Sequence, residues 1–232
     1  MHRVELPEAV IARVTARRGR RHAFPDLDPR RTALVVIDMQ NAFLQAGSPG
    51  EVAPARDIVP AINRLAVAVR HAGGRVAWVS MTVDPGTPGA GWPVFFGEIF
   101  PAELAGRYIQ ALAPDAEGHR LWPALQAEPG DLRARKTRFS AFLPGACDLP
   151  EQLARHGLDT VIIAGTLTNV CCESSARDAM MRGYRVIMAS DANATRSDED
   201  HLASLIAVYQ TFGDVRTTAE LEGLLARPGA AA

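Results

Sequence analysis

Four short apolar runs constrain this chain more than anything else in it: Ala33-Leu34-Val35-Val36-Ile37, Val76-Ala77-Trp78-Val79, Thr160-Val161-Ile162-Ile163-Ala164 and Arg185-Val186-Ile187-Met188-Ala189. None alternates apolar with polar residues, so each reads as a strand buried on both faces, the situation of a parallel sheet covered by helices on its two sides. The segments between them agree. Residues 55–72 place Ile58, Ile62, Leu65 and Val69 at helical spacing and end in the stop signal Gly73-Gly74. Further helices are expected near 148–156, 170–182 and 199–211, with shorter strands near 131–135 and 214–217. Strands alternating with helices in this way predict an α/β fold: a three-layer, doubly wound, mostly parallel six-stranded sheet.

With 232 residues, 47% hydrophobic and 22% charged, one such domain fits better than two. The sequence divides into an N-terminal arm over 1–31, the domain over 32–226 and an Ala-rich tail over 227–232 that is expected to fray. In the arm, Val4, Leu6, Val10, Ile11 and Val14 suit a short amphipathic helix packed on the body or on a neighbouring subunit. The basic run that follows (Arg17, Arg18, Arg20, Arg21) lacks the interleaved aromatics of a nucleic-acid tail. A net charge of -1 gives no global field for nucleic acid or anionic lipid, so a small molecule is the expected partner. No apolar window approaches the ~18 residues of a membrane span, and no signal-peptide pattern opens the chain. Three cysteines, two of them adjacent, make no disulfide framework and point to a cytoplasmic setting. Residues 84–128, rich in Pro and Gly and carrying Trp92, Phe95 and Phe96, are too long for a plain connector and are expected to form a lid.

Ligand sites of open α/β sheets lie beyond the carboxyl ends of the strands. Three reactive side chains fall there: Asp38 ends the first strand, Lys136 follows the third, and Cys171 lies after the fourth at the opening turn of a helix. Together they supply a nucleophile, a proton acceptor and a charge partner. Thr168 and Asn169 can cap that helix, whose N–H groups favour a thiolate and can receive an oxyanion. Cys172, rotated by roughly 100° around the helix, is expected to face the core, and Cys147 is incidental. The six histidines are scattered without HExxH spacing, and no GxGxxG, GxxxxGK[ST] or GxSxG stretch is present, so neither a metal nor a cofactor is expected.

Three separated segments now identify a family. Val35-Val36-Ile37-Asp38-Met39-Gln40-Asn41, Lys136-Thr137-Arg138-Phe139-Ser140-Ala141-Phe142 and the stretch from Gly165 to Ala179 (GTLTNVCCESSARDA) closely resemble the signature segments of isochorismatase-like cysteine hydrolases, in order and spacing over roughly 32–217. The resemblance implies sheet order 3-2-1-4-5-6, a homodimer or homotetramer, and a non-proline cis peptide at Thr166-Leu167. It also implies a mechanism. Asp38 takes the thiol proton of Cys171, Lys136 holds the pair, the thiolate attacks a carbonyl, and the backbone N–H groups of Leu167 and Cys171 bind the oxyanion. Gln40 and Phe43 resemble pocket-lining positions; Trp92, Phe95 and Thr168 join them as expected substrate contacts.

Departures from subfamily patterns narrow the substrate. Met81-Thr82-Val83-Asp84-Pro85 lacks the histidines with which nicotinamidases hold a metal, and Cys171 counts against true isochorismatases, which lack that nucleophile. Ureidoacrylate, N-carbamoyl and other amide hydrolases share the TNVC segment, as do streptothricin hydrolases, which open a cyclic amide in a polycationic antibiotic. Between Asp84 and Asp131 seven acids (Asp84, Glu98, Glu103, Asp115, Glu117, Glu128, Asp131) face two arginines (Arg107, Arg120). The sequence therefore predicts hydrolysis of a linear or cyclic amide; the lid acids read either as a solvated charge face or as an acidic lid that would favour a cationic substrate such as a streptothricin-type lactam. The alternatives are a small neutral ureido or carbamoyl compound, or a non-catalytic thiol module sensing oxidation at Cys171 and Cys172.

Overall fold

The computed structural model describes His2 and residues 5–226; Val4 of the arm and the 227–232 tail lie outside the described residues. In chain order the elements are α1 (Glu8–Arg18), β1 (Thr32–Ile37), α2 (Asn41–Leu44), α3 (Val59–His71), β2 (Arg75–Met81), α4 (Ala102–Ala111), β3 (Leu132–Lys136), α5 (Leu149–Arg155), β4 (Thr160–Thr166), α6 (Glu173–Met181), β5 (Arg185–Ala194), α7 (Asp198–Ala207), β6 (Asp214–Arg216) and α8 (Thr218–Leu225). The six strands form one parallel sheet in the order β3-β2-β1-β4-β5-β6. Successive residues of the apolar runs feed opposite layers. Leu34, Val36, Trp78 and Ile162 pack with α3, α8 and the 84–128 segment. Val35, Ile37, Val79, Val161 and Ile163 pack with α1, α5, α6 and α7. That two-sided burial is the reason no strand shows a polar face. No helix among the described residues is long and apolar enough to cross a membrane.

The central strand β1 fixes the site. It pairs with β2 on one side and β4 on the other, in registers that set Ile37 beside Val79 and beside Gly165. Strand order reverses between β1 and β4, the switch point at which such sheets open a crevice. The β4–β5 ladder breaks after Ile163, and the Asn193 side chain closes the gap by donating to Ile163 O (2.8 Å) and Ala189 O (2.7 Å).

Several elements differ from the sequence expectation. The 84–128 segment is not irregular throughout, since it contains α4 and a π-helical turn over Phe95–Ile99. Helix α8 had no expected counterpart; it begins in a capping box of Thr217 and Glu220, and the Asp191 carboxylate accepts from Thr218 N–H (2.7 Å). The expected helices near 170–182 and 199–211 each contain a π-helical turn, Thr168–Cys172 before α6 and Val208–Phe212 after α7. The arm packs on its own domain: Val10, Ile11 and Val14 join the α7-side core, Arg18 donates to Tyr209 O (2.9 Å), and Tyr209 Oη donates to Arg21 O (2.6 Å).

Gly165 carries the closest approach in the sheet. Its φ is +117°, and an added Cβ would overlap Ile37 O and lie 2.7 Å from Ile37 N and 2.9 Å from Ile37 C. Both the backbone conformation and the strand contact exclude a side chain. Gly165→Ala is expected to destabilise the fold by on the order of 4 kcal/mol in urea unfolding; a loss below about 1 kcal/mol would show that the β1–β4 contact yields easily.

Candidate active site

Asp38 follows the last residue of β1, and its backbone bends there into the left-handed region (φ 53°). Its N–H still donates to Val79 O (2.9 Å), so the turn starts from within the sheet. A non-glycine residue with this φ is uncommon and persists where its surroundings hold it. Here Met81 N–H donates to Asp38 Oδ1 (2.9 Å). Lys136 is the last residue of β3, and Cys171 sits in the π-helical turn between β4 and α6.

The structure brings these three together. Lys136 Nζ lies 2.7 Å from Asp38 Oδ2, with both side chains fully buried, and 3.4 Å from Cys171 Sγ. It also donates to Arg138 O (3.2 Å) and touches Met81 Sδ (3.7 Å). Asp38 Oδ2 meets the ammonium off the line of a directed hydrogen bond, which leaves it a buried acceptor beside the thiol. Burial would strip the charge from Lys136, but Asp38 and Cys171 outweigh it and hold the ammonium above the ordinary lysine range. Burial, reinforced by the Asp38 charge, pushes the Cys171 thiol far above the ordinary cysteine range, and Lys136 opposes this only in part. Burial and Asp38 thus act against the helix terminus that was expected to favour the thiolate, and the sulfur lies beside an ion pair.

Thr168 and Asn169 do not cap the helix either. Thr168 Oγ1 meets His201 Nδ1 (2.8 Å), Thr168 O accepts from Ser204 Oγ (3.1 Å), and Asn169 Oδ1 accepts from Thr195 Oγ1 (2.7 Å). The turn that carries Cys171 is held from α7 and from the segment before it. The Thr166–Leu167 peptide is cis.

Over the thiol lies a cavity of about 150 Å³ lined by Phe43, Met81, Phe95, Phe96, Phe100, Tyr108, Leu112, Phe139, Leu167, Val170, Cys171 and Arg196. Of the residues expected around the substrate, Phe43, Phe95 and Leu167 line it, whereas Gln40, Trp92 and Thr168 stand behind the wall. Gln40 is fully buried and spends its amide on backbone, accepting from Met81 N–H (2.8 Å) and donating to Met81 O (3.1 Å) and His119 O (2.9 Å). Trp92 stacks on Phe95 (4.5 Å between ring centroids) and meets Phe139 edge-on (4.7 Å), with the Arg138 guanidinium above it (4.9 Å). The sequence reading placed Phe96 in the lid but not among the substrate contacts, and it missed Phe100, Tyr108 and Arg196; lid composition hinted at the aromatics, but nothing in the pattern marked Arg196.

None of the lid acids lines the cavity. Asp84, Glu98, Glu103, Asp115, Glu117 and Glu128 are exposed, and Asp131 pairs with Arg70 (2.7 Å) while accepting from Trp78 Nε1 (2.7 Å). An unpaired carboxylate is costly to bury, so the lid turns its rings inward and its acids to water. Of the two readings of these charges, the placement matches a solvated face, and no lid acid contacts the cavity. Cys172 is sealed in the core with its thiol pushed up by burial, which removes the support for a paired redox role with Cys171. Cys147 pairs with Lys136 only through an isolated backbone bridge. Among the described residues no three His, Cys, Asp or Glu side chains form a group that could hold a metal.

The family model of the isochorismatase domain matches residues 32–220. An uncharacterized isochorismatase family protein of Bacillus subtilis, YwoC, is 31% identical over 199 residues, covering 84% of this chain and 94% of that protein. The ureidoacrylate amidohydrolase RutB of Methylobacterium radiotolerans is 33% identical over 220 residues, covering 88% and 83%. Among solved structures, a cysteine hydrolase from Pseudomonas syringae pv. phaseolicola superposes with a TM-score of 0.76 at 31% identity, covering 88% of this chain and 96% of that one. N-carbamoylsarcosine amidase from Thermoplasma acidophilum does so with a TM-score of 0.64 at 25% identity, covering 81% and 96%.

Two outcomes follow from the electrostatics. Asp38→Asn removes the charge that raises the thiol and leaves Lys136 unopposed, so alkylation of Cys171 by an uncharged reagent at neutral pH should accelerate; slower alkylation would mean that Asp38 already ionises the sulfur at rest. Separately, burial, with His2 beside it, lowers His201 from the ordinary 6.5 to about 4. The unfolded chain takes up that proton first, so the stability this group confers is complete above about pH 6.5 and is lost as the pH falls toward 4. The urea midpoint of His201→Gln should therefore decline less between pH 7 and pH 5 than that of the wild type, and equal declines would remove His201 from the account.

Proposed function

The chain belongs to the isochorismatase family, and within it we propose a cysteine-dependent amidohydrolase that cleaves the C–N bond of a small ureido, N-carbamoyl or related amide acid. The observation that carries this reading is the arrangement of the cavity: a thiol in its lining backed by a buried ammonium and carboxylate, apolar rings around it, and Arg196 as the one charged residue of its lining. Arg196 is exposed, and among the described residues no ion pair or hydrogen bond engages its guanidinium. A guanidinium at the mouth of an apolar cavity suits a carboxylate. The names of two relatives, ureidoacrylate amidohydrolase and N-carbamoylsarcosine amidase, describe substrates of that kind.

The chemistry uses the resting protonation state. Substrate entry displaces water from the aromatic cavity and places the carbonyl carbon over Sγ. Asp38 then takes the thiol proton as the C–S bond forms, and Lys136 stays charged beside both groups, so net charge at the base is conserved through the transfer. The oxyanion is received by the N–H groups of Leu167 and Cys171. Asp38 returns its proton to the departing nitrogen, the C–N bond breaks, and a thioester remains on Cys171. Water, deprotonated by Asp38, attacks the thioester carbonyl; the C–S bond breaks and sulfur leaves with the proton restored. Three free cysteines suit a reducing compartment such as the cytoplasm.

The test is a panel of N-carbamoyl and ureido acids, their uncharged amides, and cationic lactams. Cys171→Ser should lower kcat by roughly 10³-fold or more on the substrates that are turned over. Arg196→Ala should raise KM for the acids by roughly 10-fold or more, the order expected for a lost charged hydrogen bond, and leave the uncharged amides alone. Wild-type turnover by Cys171→Ser would end the nucleophile assignment, and preferential turnover of cationic lactams would end the carboxylate assignment.

A further inference from the structure

The family match begins at residue 32 and leaves the arm unassigned, yet the arm ends on the catalytic side of the molecule. His2 is buried to 4% side-chain exposure. Its Nδ1 lies 2.6 Å from Asp198 Oδ1, and its Nε2 lies 3.0 Å from Thr195 N and 3.1 Å from Thr195 O. The tautomer with its proton on Nδ1 donates to Asp198 and accepts from Thr195 N–H, satisfying both ring nitrogens. The ring also stacks on His201, with centroids 4.3 Å apart and planes at 16°.

These contacts bracket Arg196. The residue before it, Thr195, is gripped by its backbone, and Asp198 by its carboxylate. His201, the stacking partner, holds the nucleophile turn at Thr168, and Thr195 Oγ1 holds that turn at Asn169. One imidazole from the arm thus fastens the short segment that carries the cavity's single cation to the turn that carries the thiol. An arginine side chain has several rotatable bonds, and fixing its backbone lowers the entropy lost when it binds an anion.

We infer that His2 is a positioning residue for substrate binding: the N-terminal arm clamps the Thr195–Asp198 segment so that Arg196 faces the cavity. The inference rests on the reading of Arg196 as the carboxylate contact and goes beyond it by making residues outside the family domain part of the specificity machinery. The turn that carries the thiol keeps its own bonds to His201, Thr195 and Ser204 without the His2 imidazole, so a clamp of this kind changes affinity for the acid group more than the bond-breaking step.

The experiment uses the full chain, with His2→Ala, His2→Gln, Arg196→Ala and the double variant. N-carbamoylglycine serves as the acid and N-carbamoylglycinamide as its uncharged counterpart, alongside hydrogen exchange at the Thr195 amide. In His2→Ala, KM for the acid should rise by roughly 3- to 10-fold with kcat within about twofold and KM for the amide unchanged. His2→Gln, which keeps a donor and an acceptor, should recover part of the loss. The Thr195 amide should exchange faster once its acceptor is gone, and His2→Ala should add nothing to Arg196→Ala, because both act through one contact. Unchanged exchange at Thr195, multiplicative effects of the two substitutions, or a fall in kcat with KM preserved would each overturn the clamp. If Arg196→Ala leaves the preference for acid over amide intact, the carboxylate reading fails and takes the clamp's role with it. If Arg196→Ala abolishes that preference while His2→Ala does nothing, the clamp alone fails.

Discussion

A buried ammonium sets the terms for the rest of this molecule. Lys136 is fully buried and carries its charge at the end of β3. Taking such an ion out of water costs several kcal/mol even after relaxation, and the cost is tolerable only where the protein replaces the lost hydration. The replacements come from three directions: a carboxylate from β1 at 2.7 Å, the Arg138 carbonyl at 3.2 Å and the Cys171 sulfur at 3.4 Å. Each must arrive within a few tenths of an ångström, which ties the ends of β1, β3 and β4 to one point. Gly165 allows β4 to lie close enough to β1, and Gln40 pins the Met81 backbone whose N–H serves Asp38. Precision at the site and precision in the sheet are the same requirement.

Much of this was legible from the chain. The apolar runs gave the strands because parallel strands buried on two sides leave an unmistakable pattern, and Asp38, Lys136 and Cys171 stood out because reactive side chains at strand ends have few structural reasons to be there. The pocket wall was harder. Gln40 sits within a motif that resembles a binding segment, but its orientation is decided by backbone acceptors at Met81 and His119, which lie about 40 and 80 residues away in sequence and carry no local signal. Helix α4 was hidden in a segment whose prolines, glycines and aromatics read as loop; only Ala105 and Tyr108 of it are buried, too few to register as a period. The π-helical turns shift the helical phase by about one residue, so Thr168 looked like a cap and is instead a buried tether to His201. Arg196 was missed because its role comes from where a strand end meets the cavity.

The electrostatics around Cys171 bear on the apolar lining of the cavity. Burial and the Asp38 charge push the thiol up, and a thiol is a weaker nucleophile than its thiolate. The same low-polarity environment that raises the thiol strengthens its interactions with Asp38 and Lys136; in the proposed mechanism the proton moves only from sulfur to a neighbouring carboxylate beside a positive charge. An acidic lining would have worked against this, since each added carboxylate would raise the thiol further. The lid therefore has a physical reason to present rings to the sulfur and acids to solvent, quite apart from any preference in the substrate. Under the proposed function, recognition falls to Arg196, a guanidinium in the cavity lining that can select an anion without disturbing the proton balance around Cys171.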